Sequence, residues 1–270
     1  MRTALRRAGD RFAELVIDLD PAAPATDHWT VADTVAHVTA IAELYTELVA
    51  GSAFGASRPD LVDAIAVVTV DTLAELNANK LAGYPTRDVG ELITRLRAAI
   101  ETVLDRTLTA DPAIPLPWLG GSRVPIGGIL AHLVNELHVH GWDIARATRS
   151  RWEIPPAEAA LFFDMFLVGI IRCGLGTLLD GGDAPRDRPI AVTFRSRYTD
   201  PVTVVLERGE VRIRDGAGPV DARVRFEPAA LNLMLFHRMS RLRAALTGAV
   251  VISGRRPWLL APFLRTVRLP

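Results

Sequence analysis

The chain has 270 residues, 49 % of them hydrophobic and 23 % charged, which suits one large domain or two ordinary ones with a real core. Lys and Arg total 31 and so do Asp and Glu, so no global field draws nucleic acid or anionic lipid, and no recognition motif for nucleic acid is present. A single cysteine, Cys173, excludes an internal disulfide and a thiolate metal cluster and fits a reducing cytoplasm.

The N-terminus MRTALRRAGDRF is basic but lacks a following apolar run, so no secretory signal is expected. Residues 2 to 19 read as an amphipathic helix ending before Pro21. A second helix starts in DHWTVADTVAHVTAIAELYTELVAG. Thr30 and Asp33 resemble a capping box with Asp in place of Glu; Val31, Val38, Ala42, Tyr45 and Val49 line one side, and Gly51 stops the helix. Helices are expected at about 59 to 82 and 89 to 109, with the turn GYPTRD between them. The Pro- and Gly-rich stretch DPAIPLPWLGGSRVPIGG reads as a loop into a last helix, about 126 to 148. Long helices with short connections imply an antiparallel bundle.

SRWEIPP marks a boundary, giving expected domains 1–152 and 153–270. A helix follows from about 156 to 180. Its apolar run Phe162 to Ile171, interrupted by Asp164 and followed by Arg172, is too short to span a bilayer. After the loop GGDAPRDRP, strand alternation appears at Ile190, Val192 and Phe194; at Val202, Val204 and Leu206; at Val211 and Ile213; and at Ala222, Val224 and Phe226. The turns ERGE and DGAG are read as hairpin turns. Helical stretches from Pro228 to Phe236 and near Leu242 to Thr247, a late strand VVIS and a final helix near Pro257 to Val267 complete the pattern. The fold class is therefore α+β: a helical bundle, then a smaller mixed domain. Nothing in the sequence specifies an oligomeric state.

The chemistry concentrates in AHLVNELHVHGWDIARA. Helical residues advance about 100° each, so with Leu133 at 0° the buried stripe contains Ile129, Leu137, Ile144 and Ala147. His140 lies about 20° from the centre of that stripe and Glu136 about 60° from it, one turn apart. An inward carboxylate is costly unless protonated, paired or bound to metal, and a shared divalent ion resolves the cost in the manner of bundle metal sites. His138 points nearly opposite and is expected to face solvent. His132, one turn before Glu136, is a candidate extra ligand or a partner of one. His37 is the one histidine well inside another predicted helix; His28 precedes that helix in a loop or capping position, and His237 belongs to the second half. Two imidazoles and one carboxylate form a set typical of catalytic zinc, although nickel, iron or manganese fit the same donors. The competing reading pairs Glu136 with Arg95 or Arg97 from a neighbouring helix. Cys173, in the apolar segment GIIRCGLG with no histidine close in sequence, reads as a buried packing thiol rather than a nucleophile. Arg195, Arg197, Arg223 and Arg225 alternate with apolar residues and are read as one solvated sheet face.

The run WTVADTVAHV at Trp29 to Val38, followed about a hundred residues later by ELHVHGWDIARAT at Glu136 to Thr148, resembles the mycothiol-dependent maleylpyruvate isomerase family, within the DinB-like metal-binding four-helix bundles. The resemblance covers roughly residues 1 to 150. It implies a zinc site at His37, Glu136 and His140, with mycothiol as a low-molecular-weight thiol cosubstrate. In such a site a metal-held thiolate adds to a small electrophilic substrate; elimination after bond rotation isomerises it, and retention of the new bond transfers the thiol. Asp143, one turn beyond His140, would orient a ligand or bind the cofactor. From about residue 185 the chain resembles a sterol-carrier-like domain through DARVRFEPAALNLMLFHRMSR and GAVVISG. Many members have a Gly-Arg or similar pair where this chain reads Phe236-His237-Arg238, and an Asp where it has Arg255, so no C-terminal residue is assigned a catalytic role. The alternative to an enzyme is a carrier or sensor that encloses an apolar small molecule in the C-terminal domain.

Overall fold

A computed structural model describes residues 1–52, 62–181 and 188–268. Four long helices form the N-terminal part: α1 (Arg2–Val16), α2 (Val31–Val49), α5 (Val89–Arg106) and α6 (Ile126–Thr148), with α3 (Val62–Val67) and the short α4 (Leu73–Ala82) between α2 and α5. Both α1 and α2 pack against α5 and α6. The Thr30–Asp33 capping box is present, with the Thr30 side chain accepting from Asp33 N and the Asp33 carboxylate accepting from Thr30 N. Gly51 follows the end of α2 at φ 80°, a left-handed position that glycine occupies without penalty.

The expected helix over 59 to 82 is two helices, and residues 59–61 lie outside the described residues. The break falls in the β-branched run Val67-Val68-Thr69-Val70, where helix propensity is weak, and the Val70 N–H bonds the carbonyl of Leu178 instead. The Pro-rich stretch is more ordered than a loop: β1 (Pro115–Pro117) and β2 (Arg123–Pro125) form a small antiparallel pair leading into α6.

The second part opens with α7 (Pro156–Leu161), a π-helical stretch Phe162–Leu167 and α8 (Val168–Cys173), so the helix expected to reach residue 180 stops at Cys173. Most of GGDAPRDRP, residues 182–187, lies outside the described residues. A five-stranded sheet follows, built from β3 (Ile190–Arg195), β4 (Val202–Glu207), β5 (Glu210–Arg214), β6 (Ala222–Phe226) and β7 (Val250–Ser253), in the order β5-β4-β3-β6-β7. The turn ERGE makes the β4–β5 hairpin, with Arg208 and Gly209 both at positive φ. DGAG is not a hairpin turn: β6 pairs in parallel with β3, so the chain after β5 must cross two strands. The buried carboxylate of Asp221 pins that crossing, accepting from Ala191 N at 2.9 Å and from Arg256 Nε at 2.6 Å. Helices α9 (Pro228–Leu235) and α10 (Arg241–Leu246) join β6 to β7, and α11 (Leu260–Thr266) closes the described chain. Arg195, Arg197, Arg223 and Arg225 are exposed, as expected.

Between the sheet and its helices lies an apolar cavity of about 720 Å³, lined by residues such as Phe163, Leu167, Phe194, Val224, Met234 and Phe263. No described helix is long and apolar enough to cross a membrane.

Candidate metal centre

Helix α6 is buried on nearly every side up to Ala145, because the bundle covers one face and the second part covers the other. Ala147, placed in the apolar stripe by its angle, is exposed near the helix end. His37 from α2 faces Glu136 and His140 from α6, and one donor atom from each lies within 4.8 Å of the others. His140 Nε2 stands 3.4 Å and His37 Nε2 3.7 Å from the same oxygen, Oε2 of Glu136. These separations exceed an ordinary N–H···O bond. They approach the roughly 3.3 Å between two donors that are each about 2.0 to 2.1 Å from a tetrahedral zinc. Three such groups, each less than a tenth exposed, fit a divalent cation in both chemistry and spacing.

Burial opposes ionisation of Glu136, yet its contacts with His132, His140 and His37 hold its carboxyl well below the usual range. Burial likewise pushes His37 down to about 4, against the pull of Glu136. His140 behaves differently. Burial disfavours its cation, but contacts with Asp143 and Glu136 prevail and raise it to about 9. Oδ2 of Asp143 lies 3.2 Å from His140 Nδ1, an ion-pair contact whose angle falls short of a full hydrogen bond. Asp143 is in turn gripped by Arg238, whose Nε and Nη2 donate to its two oxygens at 3.0 and 2.7 Å. Arg238 also donates to the Phe236 carbonyl, which fixes the turn after α9. The Trp29 ring stands over the cluster, its centroid 4.6 Å from that of His37 and 5.9 Å from that of His140.

The remaining histidines separate. His132 Nε2 lies 3.5 Å from the other Glu136 oxygen, and His132 is not among the three converging donors. His28 is exposed in the loop before α2, and His237 is exposed after α9. His138 does not face solvent. It is 1 % exposed and shares a 2.7 Å contact with the buried Glu158 of α7. The helical wheel gave its direction correctly; what it faces is α7 and Trp152, whose indole N–H donates to the His138 carbonyl at 3.0 Å. Arg95 and Arg97 do not reach Glu136: Arg95 is drawn to Glu43 at 2.8 Å, and Arg97 stands 3.7 Å from Asp10. Cys173 is half-buried rather than fully buried, and burial raises its thiol above the ordinary value, which disfavours a thiolate.

Sequence reasoning assigned no role to Arg238 at this site, because the partner of Asp143 lies 95 residues further along the chain. Its position in the Phe236-His237-Arg238 turn was the only signal, and that signal carried no contact.

The sequence model of the mycothiol maleylpyruvate isomerase N-terminal domain matches residues 4–145, just over half of the 270-residue chain. No curated protein matches the chain. Two solved structures of the mycothiol-dependent maleylpyruvate isomerase are similar to it. One is a mutant form, with a TM-score of 0.52, 14 % identity and coverage of 93 % of this chain and 91 % of that one. The other has a TM-score of 0.48 and 13 % identity over the same shares. At 14 % identity the first of these supports the fold alone.

Proposed function

The chain belongs to the mycothiol maleylpyruvate isomerase family, and on that footing we propose that it is a metal-dependent thiol transferase or isomerase acting on a small electrophilic substrate. In this proposal His37, Glu136 and His140 hold a divalent cation, zinc first among the candidates, and mycothiol is the thiol. The observation that carries it is the convergence of three buried donors from two helices on one point. When bound there, the cation supplies a Lewis acid that lowers the pKa of a thiol and favours the thiolate.

The surrounding residues prepare that chemistry. Asp143 faces His140 Nδ1 and so turns Nε2 toward the cluster, which is how a carboxylate orients a ligand imidazole. Arg238 holds Asp143 from the second part of the chain, so the sheet-bearing half reaches the site through this ion pair. Trp29 covers His37 and His140. With its raised thiol pKa, Cys173 is unsuited to replace the external thiol. A division at residues 152 and 153 and a cytoplasmic setting are part of the same proposal.

Elemental analysis of the purified protein and a conjugation assay with mycothiol and a panel of electrophiles test it. Near-stoichiometric metal and thiol-dependent turnover are expected, and both should vanish in the Glu136→Ala/His140→Ala double variant. Turnover that survives in a metal-free double variant contradicts the proposal. A carrier or sensor role is the second reading, favoured by the 720 Å³ apolar cavity. Under it, uptake of an apolar ligand survives in that double variant while thiol chemistry is absent from the wild type.

A further inference from the structure

His132 lies on the stripe of α6 that carries Glu136 and His140, one turn earlier, and its side chain is inward-facing but outside the converging donor set. The two oxygens of Glu136 are addressed separately. Oε2 meets His37 and His140, whereas Oε1 meets Nε2 of His132 at 3.5 Å. On the far side of the same ring, Nδ1 of His132 lies 2.9 Å from the phenolic oxygen of Tyr45. Tyr45 is fully buried on α2, and burial together with the charge of Glu136 raises its pKa well above the usual value, so the phenol keeps its proton. A protonated phenol donates to Nδ1, and a neutral imidazole that accepts there carries its own proton on Nε2, the nitrogen 3.5 Å from Glu136 Oε1. The rings of Phe166 and Trp118, with centroids 4.6 and 5.4 Å from that of His132, hold the imidazole in place.

We propose that Tyr45 and His132 form a positioning relay, hydroxyl to imidazole to carboxylate, which holds Glu136 so that Oε2 alone is presented to a metal ion. The inference rests on the reading of His37, Glu136 and His140 as ligands. A carboxylate ligand with a free second oxygen can swing to bidentate binding and fill the position a substrate needs. A donor at Oε1 opposes that swing. His132 and Tyr45 are positioning residues, acting on the site through Glu136.

Cobalt(II) titration of the metal-free protein, followed by visible absorption and by competition with a chelator, tests the relay without any assay of turnover. Tyr45→Phe removes one oxygen and keeps the ring packing. His132→Leu removes the imidazole, and His132→Gln retains a group able to accept from Tyr45 and donate to Glu136. Tyr45→Phe and His132→Leu should weaken cobalt binding by about ten- to a hundredfold, with no spectral sign of a lost ligand. His132→Gln should recover most of the loss, which a merely structural role would not produce. Should His132→Leu fail to fold, Tyr45→Phe and His132→Gln still decide the matter. Wild-type affinity in Tyr45→Phe and the available His132 variant overturns the relay. So does a cobalt spectrum in the His132 variants that shows a lost ligand, because His132 would then bind the metal itself. A wild-type protein that binds no cobalt overturns the ligand reading and the relay with it, an outcome distinct from selective loss in the variants.

Discussion

Loading the His37–Glu136–His140 cluster with zinc at neutral pH should expel close to one proton per ion, and that proton should come from His140. Glu136, held well below the usual carboxylate range, has none to give at pH 7. His37, pushed down to about 4 chiefly by burial, is already neutral. His140 is raised to about 9 by Asp143 and Glu136 against the cost of its burial, so the metal-free protein holds an imidazolium there. Displacing a proton two pH units below that pKa costs about 3 kcal/mol, or about a hundredfold in apparent affinity at pH 7. Apparent log affinity should therefore rise by about one per pH unit from 7 to 9 and flatten above that. The sign for folding is opposite. A histidine pKa raised above 6.5 stabilises the metal-free fold fully below about pH 6.5, and this contribution fades as pH rises through about 9. Calorimetric titration in buffers of different ionisation enthalpy counts the protons. In Asp143→Asn, which removes the strongest contact holding the imidazolium, the count at pH 7 should fall. Affinity independent of pH between 7 and 9, or no proton released at pH 7, would refute the electrostatic account.

Two further predictions concern the back of α6. A Cβ added at Gly141 would sit 2.3 Å from the Trp152 ring, so Gly141→Ala should cost about 1 to 3 kcal/mol and lower Tm by about 5 °C; an unchanged melting curve would show that the indole moves freely. Burial, with Arg11 and Arg7, pushes His138 down to about 3, so the fold must keep it neutral. That stability is complete above about pH 6.5 and erodes as pH falls toward 3, by about 2 kcal/mol between pH 6.5 and 5. Urea midpoints at pH 7 and pH 5 should show this loss in the wild type and a smaller one in His138→Gln; equal losses would remove His138 from the acid response.

Local signals carried most of the bundle. The Thr30–Asp33 box, Gly51 and the apolar period of α6 fall where side-chain spacing alone puts them, and Ile126–Thr148 matches the expected last helix. The same spacing turned Glu136 and His140 to one side, and the paired motifs pointed to His37. Less was legible where the partner is distant. Wheel geometry set the direction of His138 but not that Glu158 would be waiting there. Arg238 reaches Asp143 across 95 residues, and Tyr45, read as one more core residue, spends its hydroxyl on His132. The DGAG turn looks like any hairpin turn until the parallel pairing of β3 with β6 rules it out.

Periodicity and capping are properties of neighbouring residues, so the sequence by itself determined the four long helices of the bundle, where α2 begins and which face of α6 carries the acid and the imidazole. Tertiary structure decided what lies opposite each face. It brought α2 against α6 so that His37 meets Glu136, and folded the second part over α6 so that even its far side is buried. It also set Arg238 against Asp143. Those outcomes depend on burial and ion pairing between segments far apart in the chain, and the energy of such contacts exists only once the chain has closed on itself.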